Sequence, residues 1–227
     1  MRDLRMTELP AQELRVLGCL VEKELTTPQQ YPLTLNALTL ACNQSSNRSP
    51  VVAYDERFVE AAVTSAKARG LARFVHPSHG RSAIRYAHNL GEVLGLDTGQ
   101  LALLAVLMLR GPQTPGELRA RTERMASFET LSDLELELSG LSQRPEPLVV
   151  RLGRQPGQKE DRYAHLLGGP APLAEPREAR AVYSDSDAGP LQDVSARPDL
   201  EEALAELRDE VADLRRQLGE LRAQLGD

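Results

Sequence analysis

The chain has 227 residues, 41% of them hydrophobic, and 27 Lys and Arg against 33 Asp and Glu give a net charge of −6. That length accommodates two small domains and a tail, and with 4% aromatics and no Trp the cores have to be built from Leu, Val and Ala. No run of about 18 apolar residues occurs, which excludes a spanning helix, and Met1-Arg2-Asp3-Leu4-Arg5 lacks the apolar stretch of a secretory signal. Two cysteines, Cys19 and Cys42, make no disulfide framework, so a reduced, cytoplasmic setting is expected. The charge is uneven: residues 1–90 carry +3, residues 91–167 carry −2 and residues 168–227 carry −7. Attraction to phosphate therefore belongs to the first part of the chain.

A first helix is expected from about Pro10 to Leu25. Leu14, Leu17, Gly18, Val21 and Leu25 make one apolar stripe at helical spacing, and Val16 and Leu20 lie opposite. A helix apolar on two sides packs against two things, the second being another domain or a partner subunit. Thr27-Pro28 and Tyr31-Pro32 break it. Thr34 caps a short second helix through about Cys42, and Asn43–Pro50 is a polar loop. A third helix begins near Asp55 and ends at Gly70, a left-handed terminator. Phe58, Val59, Ala62, Val63 and Ala66 face inward; Glu56, Arg57, Glu60, Thr64 and Lys67 face outward. Leu71–His76 and Ala83–His88 are strands joined by a turn, and Ile84 and Tyr86 share one face. This order is that of a winged helix, with the hairpin as its wing.

The plan then repeats. Asp97 and Gln100 stand at capping spacing before Leu101–Leu109, a stretch apolar all round and so buried on most sides. Thr114-Pro115-Gly116-Glu117 has the cap, Pro and Glu of a helix start. A further helix spans about Phe128 to Leu141 with Leu131, Leu134, Leu138 and Leu141 inward. Strands at Leu148–Leu152 and Arg162–Leu166 enclose a second wing, Gly153–Asp161. The tetrapeptide Arg-Tyr-Ala-His closes both blocks, at Arg85–His88 and Arg162–His165.

The expected fold is thus mainly α with small β wings: two tandem winged-helix domains, 1–92 and 93–167, then a flexible linker, 168–198, and a coiled-coil helix, 199–227. The linker is rich in Pro, Ala, Asp and Gly without periodicity. In the tail Leu200, Leu204, Leu207, Val211, Leu214, Leu218, Leu221 and Leu225 are spaced 4-3-4-3-4-3-4. That strict seam predicts a homodimer through Leu204, Leu207, Val211, Leu214, Leu218, Leu221 and Leu225. The competing reading is one amphipathic helix folding back on the domains.

Glu13-Leu14-Arg15-Val16-Leu17-Gly18-Cys19-Leu20-Val21-Glu22-Lys23-Glu24-Leu25-Thr26-Thr27-Pro28 is distinctive. It continues in Tyr31-Pro32-Leu33-Thr34-Leu35-Asn36-Ala37-Leu38, Ala41-Cys42-Asn43-Gln44 and Ser46-Asn47-Arg48. These residues resemble the YceH-like family, domain of unknown function 480, most specifically over 13–50. The resemblance implies a bacterial tandem winged-helix protein whose activity is not established, and it carries over no catalytic or binding residue. Leu9 stands before Pro10 where a capping Thr is expected, which bears on the helix start alone.

Nucleic-acid binding is the first functional expectation, because the third helix of a winged helix enters the major groove and the wing touches backbone. Candidate contacts are Arg48 in the polar loop, Arg57 and Lys67 on the third helix, and Arg73, His79, Arg81 and Arg85 on the first wing. Arg154 and Lys159 are the candidates on the second wing. Glu56 and Glu60 oppose Arg57 and Lys67, and Glu129, Asp133 and Glu137 argue against the corresponding helix of the second block. Basic wings either grip phosphates or protect strand edges. The Asn43–Arg48 loop either contacts a partner or caps helix ends. The alternative function is a non-catalytic protein-protein adaptor. His76 and His79 with Cys19 or Cys42 have no recognised metal spacing, the cysteines are expected in the core, and enzyme signatures are absent. No cofactor, no metal and no enzymatic activity are expected.

Overall fold

The computed structural model describes residues 8–76, 83–154 and 160–169, all within one compact unit, Met1–Glu175. Its fold is mixed α/β, with small antiparallel strands among helices. The expected linker and the heptad seam from Leu204 to Leu225 lie outside the described residues, as do His79, Arg81 and Lys159.

Helix α1 spans Ala11–Thr26, and residues 13–21 are buried on every side. A two-residue strand β1, Leu33–Thr34, leads into α2, Leu35–Cys42, whose cap is Thr34 accepting from the Ala37 amide. Helix α3, Glu56–Ala68, starts at Asp55, which accepts from Phe58. It ends as the sequence predicts: Gly70 sits at φ 77°, its amide reaches the Lys67 carbonyl at 2.8 Å, and the Leu71 amide reaches Ala66 at 2.9 Å. Strands β2, Ala72–Val75, and β3, Arg85–His88, pair antiparallel, and β1 adds to the other edge of β3. After a one-turn helix α4, Leu90–Leu94, comes α5, Thr98–Arg110, capped by Asp97, with Leu101–Leu109 buried throughout. Helices α6, Pro115–Thr122, and α7, Leu131–Ser142, both begin in full capping boxes, at Thr114 with Glu117 and at Thr130 with Asp133. Strands β4, Val149–Leu152, and β5, Arg162–His165, form the last hairpin.

The repeated tetrapeptide has one structural job done twice. In each copy it is the returning strand. Tyr86 pairs with Leu33, and Tyr163 bridges to Gln113. Leu33 and Gln113 each stand immediately before a helix-capping threonine. The arginine of each copy donates to a proline carbonyl two residues before that cap: Arg85 to Pro32 at 2.8 Å and Arg162 to Pro112 at 3.1 Å. The repeat therefore fastens a hairpin to the entry of a helix in both halves.

Helix α5 covers the side of α1 that carries Gly18, so the two halves share one core through their first helices. Val16 and Leu20, on the other side of α1, are fully buried as well; the second packing partner of the helix is the other half of the chain, which takes the Gly18 stripe. Gly18 permits the approach: a Cβ at this position would lie 2.9 Å from Leu109 Cγ.

Two expected core residues are exposed. Phe58 is 45% exposed because it flanks the buried stripe of α3, where it tilts against Tyr54 at 4.7 Å. Leu131 is 40% exposed because α7 begins there, after the Thr130 cap, and not at Phe128. Strand β1 and helix α4 had no sequence signal of their own: two residues show no alternation, and five residues show no helical period.

His165 gives the fold a pH dependence. Its Nδ1 is buried without a hydrogen-bond partner among the described residues, and burial lowers the ring's pKa from 6.5 to about 4. The unfolded chain takes up this proton as pH falls through 6.5, while the folded chain does so only near 4. Its stabilising contribution is thus complete above about 6.5 and is lost as pH falls toward 4. The denaturant midpoint is expected to drop between pH 7 and pH 5, and to drop less in His165→Phe. Equal drops would reject this account.

Candidate nucleic-acid interface

Helix α3 buries Val59, Ala62, Val63 and Ala66. At 100° per residue, the stripe opposite them is Arg57, Ala61, Thr64 and Ala68, all exposed. It carries a guanidinium, a hydroxyl and two methyl groups, and no acid. Glu56, Glu60 and Lys67 lie on one flank. Glu56 accepts from the Asn36 amide of α2 at 3.2 Å. Glu60 faces the sheet, where its charge adds to burial in raising the pKa of Tyr86. Arg57 makes no hydrogen bond or ion pair with any described residue. The Lys67 ammonium rests 4.1 Å from the centre of the Phe74 ring, which fixes it beside β2. Arg73 on β2 is exposed and donates to Asn89 at 3.3 Å. The structure therefore brings Arg57, Lys67 and Arg73 to α3 and the adjoining strand.

It takes others away. Arg48 is a correction: its side chain is 0% exposed. Two of its nitrogens bind the Glu22 carboxylate at 3.0 and 2.6 Å, Nε binds the Ala41 carbonyl at 3.0 Å, and Gln44 accepts at 2.7 Å. At the start of the same loop Asn43 exchanges two hydrogen bonds with the Tyr54 backbone, while Ser45, Ser46 and Asn47 are exposed. Arg85 remains exposed but is tied to Pro32. On the second hairpin Arg151 and Arg154 both pair with Asp161, and Arg162 lies 3.8 Å from Glu117.

The outer stripe of α7 differs in kind. Opposite buried Leu134, Leu138 and Leu141 stand Ser132, Leu136 and Gly140, with Asp133 and Glu135 beside them. Leu136 is 72% exposed. This surface repels phosphate and offers an apolar knob.

Sequence reasoning missed two buried charges of α1. Glu13 accepts from Ser65 at 2.6 Å and lies 3.3 Å from Arg69. Arg15 donates to the Pro50 carbonyl at 2.5 Å. Their places inside the apolar stripes of the helix were the available signal. The Tyr-Ala-His end of β3 is also internal: His88 Nδ1 accepts from the Leu90 amide at 3.2 Å and Nε2 meets Glu24 at 2.5 Å. Burial lowers the pKa of His88 against the opposing pull of Glu24. Cys19 and Cys42 are both buried. Among the described residues no cluster of His, Cys, Asp and Glu suits a metal ion, and no helix is long and apolar enough to cross a membrane.

Residues 9–158 match the family described as "Protein of unknown function, DUF480". The chain belongs to this family. Similar proteins include a UPF0502 protein of Geobacter metallireducens, 55% identical over 175 residues, covering 77% of this chain and 78% of the relative. Another UPF0502 protein, from Geobacter sulfurreducens, is 53% identical over 168 residues, covering 74% and 76%. One from Opitutus terrae is 48% identical over 189 residues, covering 79% and 81%. The region matched by the DUF480 family takes in α1 to β4 and so includes the surface of α3.

Proposed function

We propose that each half of the chain is a winged helix and that the protein is a non-catalytic, transcription-regulator-like DNA-binding protein, contacting duplex DNA through the first half. The observation that carries this reading is the outer stripe of α3: Arg57, Ala61, Thr64 and Ala68, with no acid on it and small side chains that let the helix approach a groove. Lys67 and Arg73 flank the stripe as phosphate contacts, joined by His79 and Arg81 of the first wing. The heptad seam of the tail makes the protein a homodimer, presenting two copies of α3. The order of elements in both halves, with a strand residue before the cap of the second helix in the first and a single bridge residue in the second, supports the winged-helix assignment.

The test is fluorescence anisotropy with a random-sequence duplex across a salt series, using the full chain and an Arg57→Glu/Lys67→Glu variant. Wild type is expected to bind at low salt and to weaken steeply as salt rises. The variant should bind at least about tenfold more weakly and show a shallower salt slope, by about one unit for each lost phosphate contact. No binding at low salt would sink the proposal.

A second reading is favoured by Leu136, exposed at 72% on an acidic helix. On that reading α7 docks a protein partner and the chain is an adaptor. It becomes the leading reading if DNA fails to bind.

A further inference from the structure

We propose that the cleft between the two halves is a binding site for a compact dianion, either a phosphate monoester or a small dicarboxylate. The cleft has a volume of about 260 Å³. Glu22 and Thr26 of α1 and Asn47 of the following loop form one wall. Arg110 at the end of α5, Arg121 in the last turn of α6 and Arg124 just beyond it form the other.

The charges do not cancel within the described residues. The Glu22 carboxylate is already held at both oxygens by Arg48. Arg121 has only Glu117, at 3.7 Å, and Glu117 is shared with Arg162. Arg124 is exposed and makes no hydrogen bond or ion pair with any described residue. Arg110 is half-buried, forms no ion pair with any described residue and donates to the side-chain oxygen of Asn47; Glu22 and Glu117 act on it only at longer range. Burial, and next the charge of Arg121, lower its pKa.

Helix ends supply part of the answer to these cations. Arg110 and Arg121 stand at the C-termini of α5 and α6, each worth roughly half a negative charge, and Glu123 adds a full one. With the C-terminus of α1, whose last residue Thr26 also lines the cleft, three guanidiniums face about two and a half negative charges, which leaves an excess of roughly one half. Guanidinium groups match the paired oxygens of carboxylate and phosphate. Asn47, with its oxygen engaged by Arg110, keeps its amide nitrogen available as a further donor. The volume lies below the roughly 300–1,000 Å³ of drug-sized sites, which limits the ligand to a small one. Such an anion touches both halves and holds α1 and its loop to the ends of α5 and α6. The proposal stands independently of DNA binding.

The experiment is calorimetric titration of the full chain with inorganic phosphate and, separately, succinate, at constant ionic strength in chloride. Wild type and Glu92→Gln, an exposed position of α4 outside the cleft lining, are expected to show the same saturable binding of at least one of the two. Arg124→Gln and Arg110→Gln should bind at least tenfold more weakly. Arg124 makes no hydrogen bond or ion pair with any described residue, so its variant is expected to stay folded, and a circular dichroism melt verifies this. Binding of phosphate alone assigns the site to a phosphate group, free or as a monoester; binding of succinate alone assigns it to a dicarboxylate. No saturable heat with either anion, or unchanged affinity in folded Arg124→Gln, overturns the proposal.

Discussion

Arg48→Met is expected to destabilise the protein by roughly 3–5 kcal/mol, the range for breaking one side of a buried ion pair. Arg48 has a fully buried side chain, and its loss leaves the Glu22 carboxylate, itself only 13% exposed, with the Lys23 ammonium at 3.7 Å alone. It also removes the donors to the Ala41 carbonyl and the Gln44 side chain. In a unit of this size each kcal/mol lowers Tm by about 2–4 °C, so a fall of roughly 10 °C is expected in a calorimetric scan. Arg48→Lys should recover little, because a single ammonium cannot reproduce the paired bonds to Glu22 together with the bond to Ala41. Adding Glu22→Gln to Arg48→Met should return at least about 1 kcal/mol, since the stranded charge is gone. A loss below about 1 kcal/mol in Arg48→Met would mean that the guanidinium is solvated, and Arg48 would return to the surface as a possible phosphate contact.

The second large effect belongs to Gly18. In an isolated helix Gly18→Ala would be favourable by up to about 1 kcal/mol. In this protein the added carbon meets Leu109 at 2.9 Å and Met108 Cβ at 3.3 Å, both on α5. Leu109 is 2% exposed, and the contact is made by its branching Cγ and not by the far end of a flexible side chain. Overpacking of about 1–3 kcal/mol therefore outweighs the helical gain. Gly18→Leu forces the helices apart and costs more than Gly18→Ala. Gly116, with open space around its Cβ direction, is the control: Gly116→Ala should be neutral or stabilising. Urea midpoints of the three variants decide the matter. A stabilised Gly18→Ala would show that α1 and α5 do not meet at this distance.

These two residues also mark the limits of sequence reading. Arg48 stands in a run of Asn, Gln and Ser that reads as a solvated loop, and a basic residue there looks available. Its burial depends on Glu22, 26 positions earlier, and no local pattern connects the two. The apolar residues on both sides of α1 were legible, and they required a second packing partner. Periodicity left open whether that partner was another subunit or another part of the chain, because both present the same apolar demand. The contact with α5 resolved it.

The candidate interface was legible in part. Arg57, Thr64 and Lys67 are outward as their spacing from Val59, Ala62 and Val63 required. The weight given to Glu56 and Glu60 changes with the structure: both lie off the outermost stripe, Glu56 bonded to α2 and Glu60 facing the sheet. The wing arginines were visible as a cluster, yet two are fastened to proline carbonyls and two to one aspartate. Composition records a charge and does not record whether it is already paired. The cleft between the halves had no sequence signature, because Asn47, Arg110 and Arg124 are brought together only by the packing of α1 on α5.

The sequence by itself determined the local elements: the helix starts at Thr34, Asp55, Asp97 and Thr114, the left-handed stop at Gly70, and the paired strands closed by each Arg-Tyr-Ala-His. Caps, glycine stops and apolar periods act between residues a few positions apart, so their physics is written locally. Only the tertiary structure decided which charges are inside, which arginines are spent on carbonyls, and that the two halves share a core. Those outcomes depend on burial and on partners tens of residues away, and desolvation, which decides them, is a property of the packed chain.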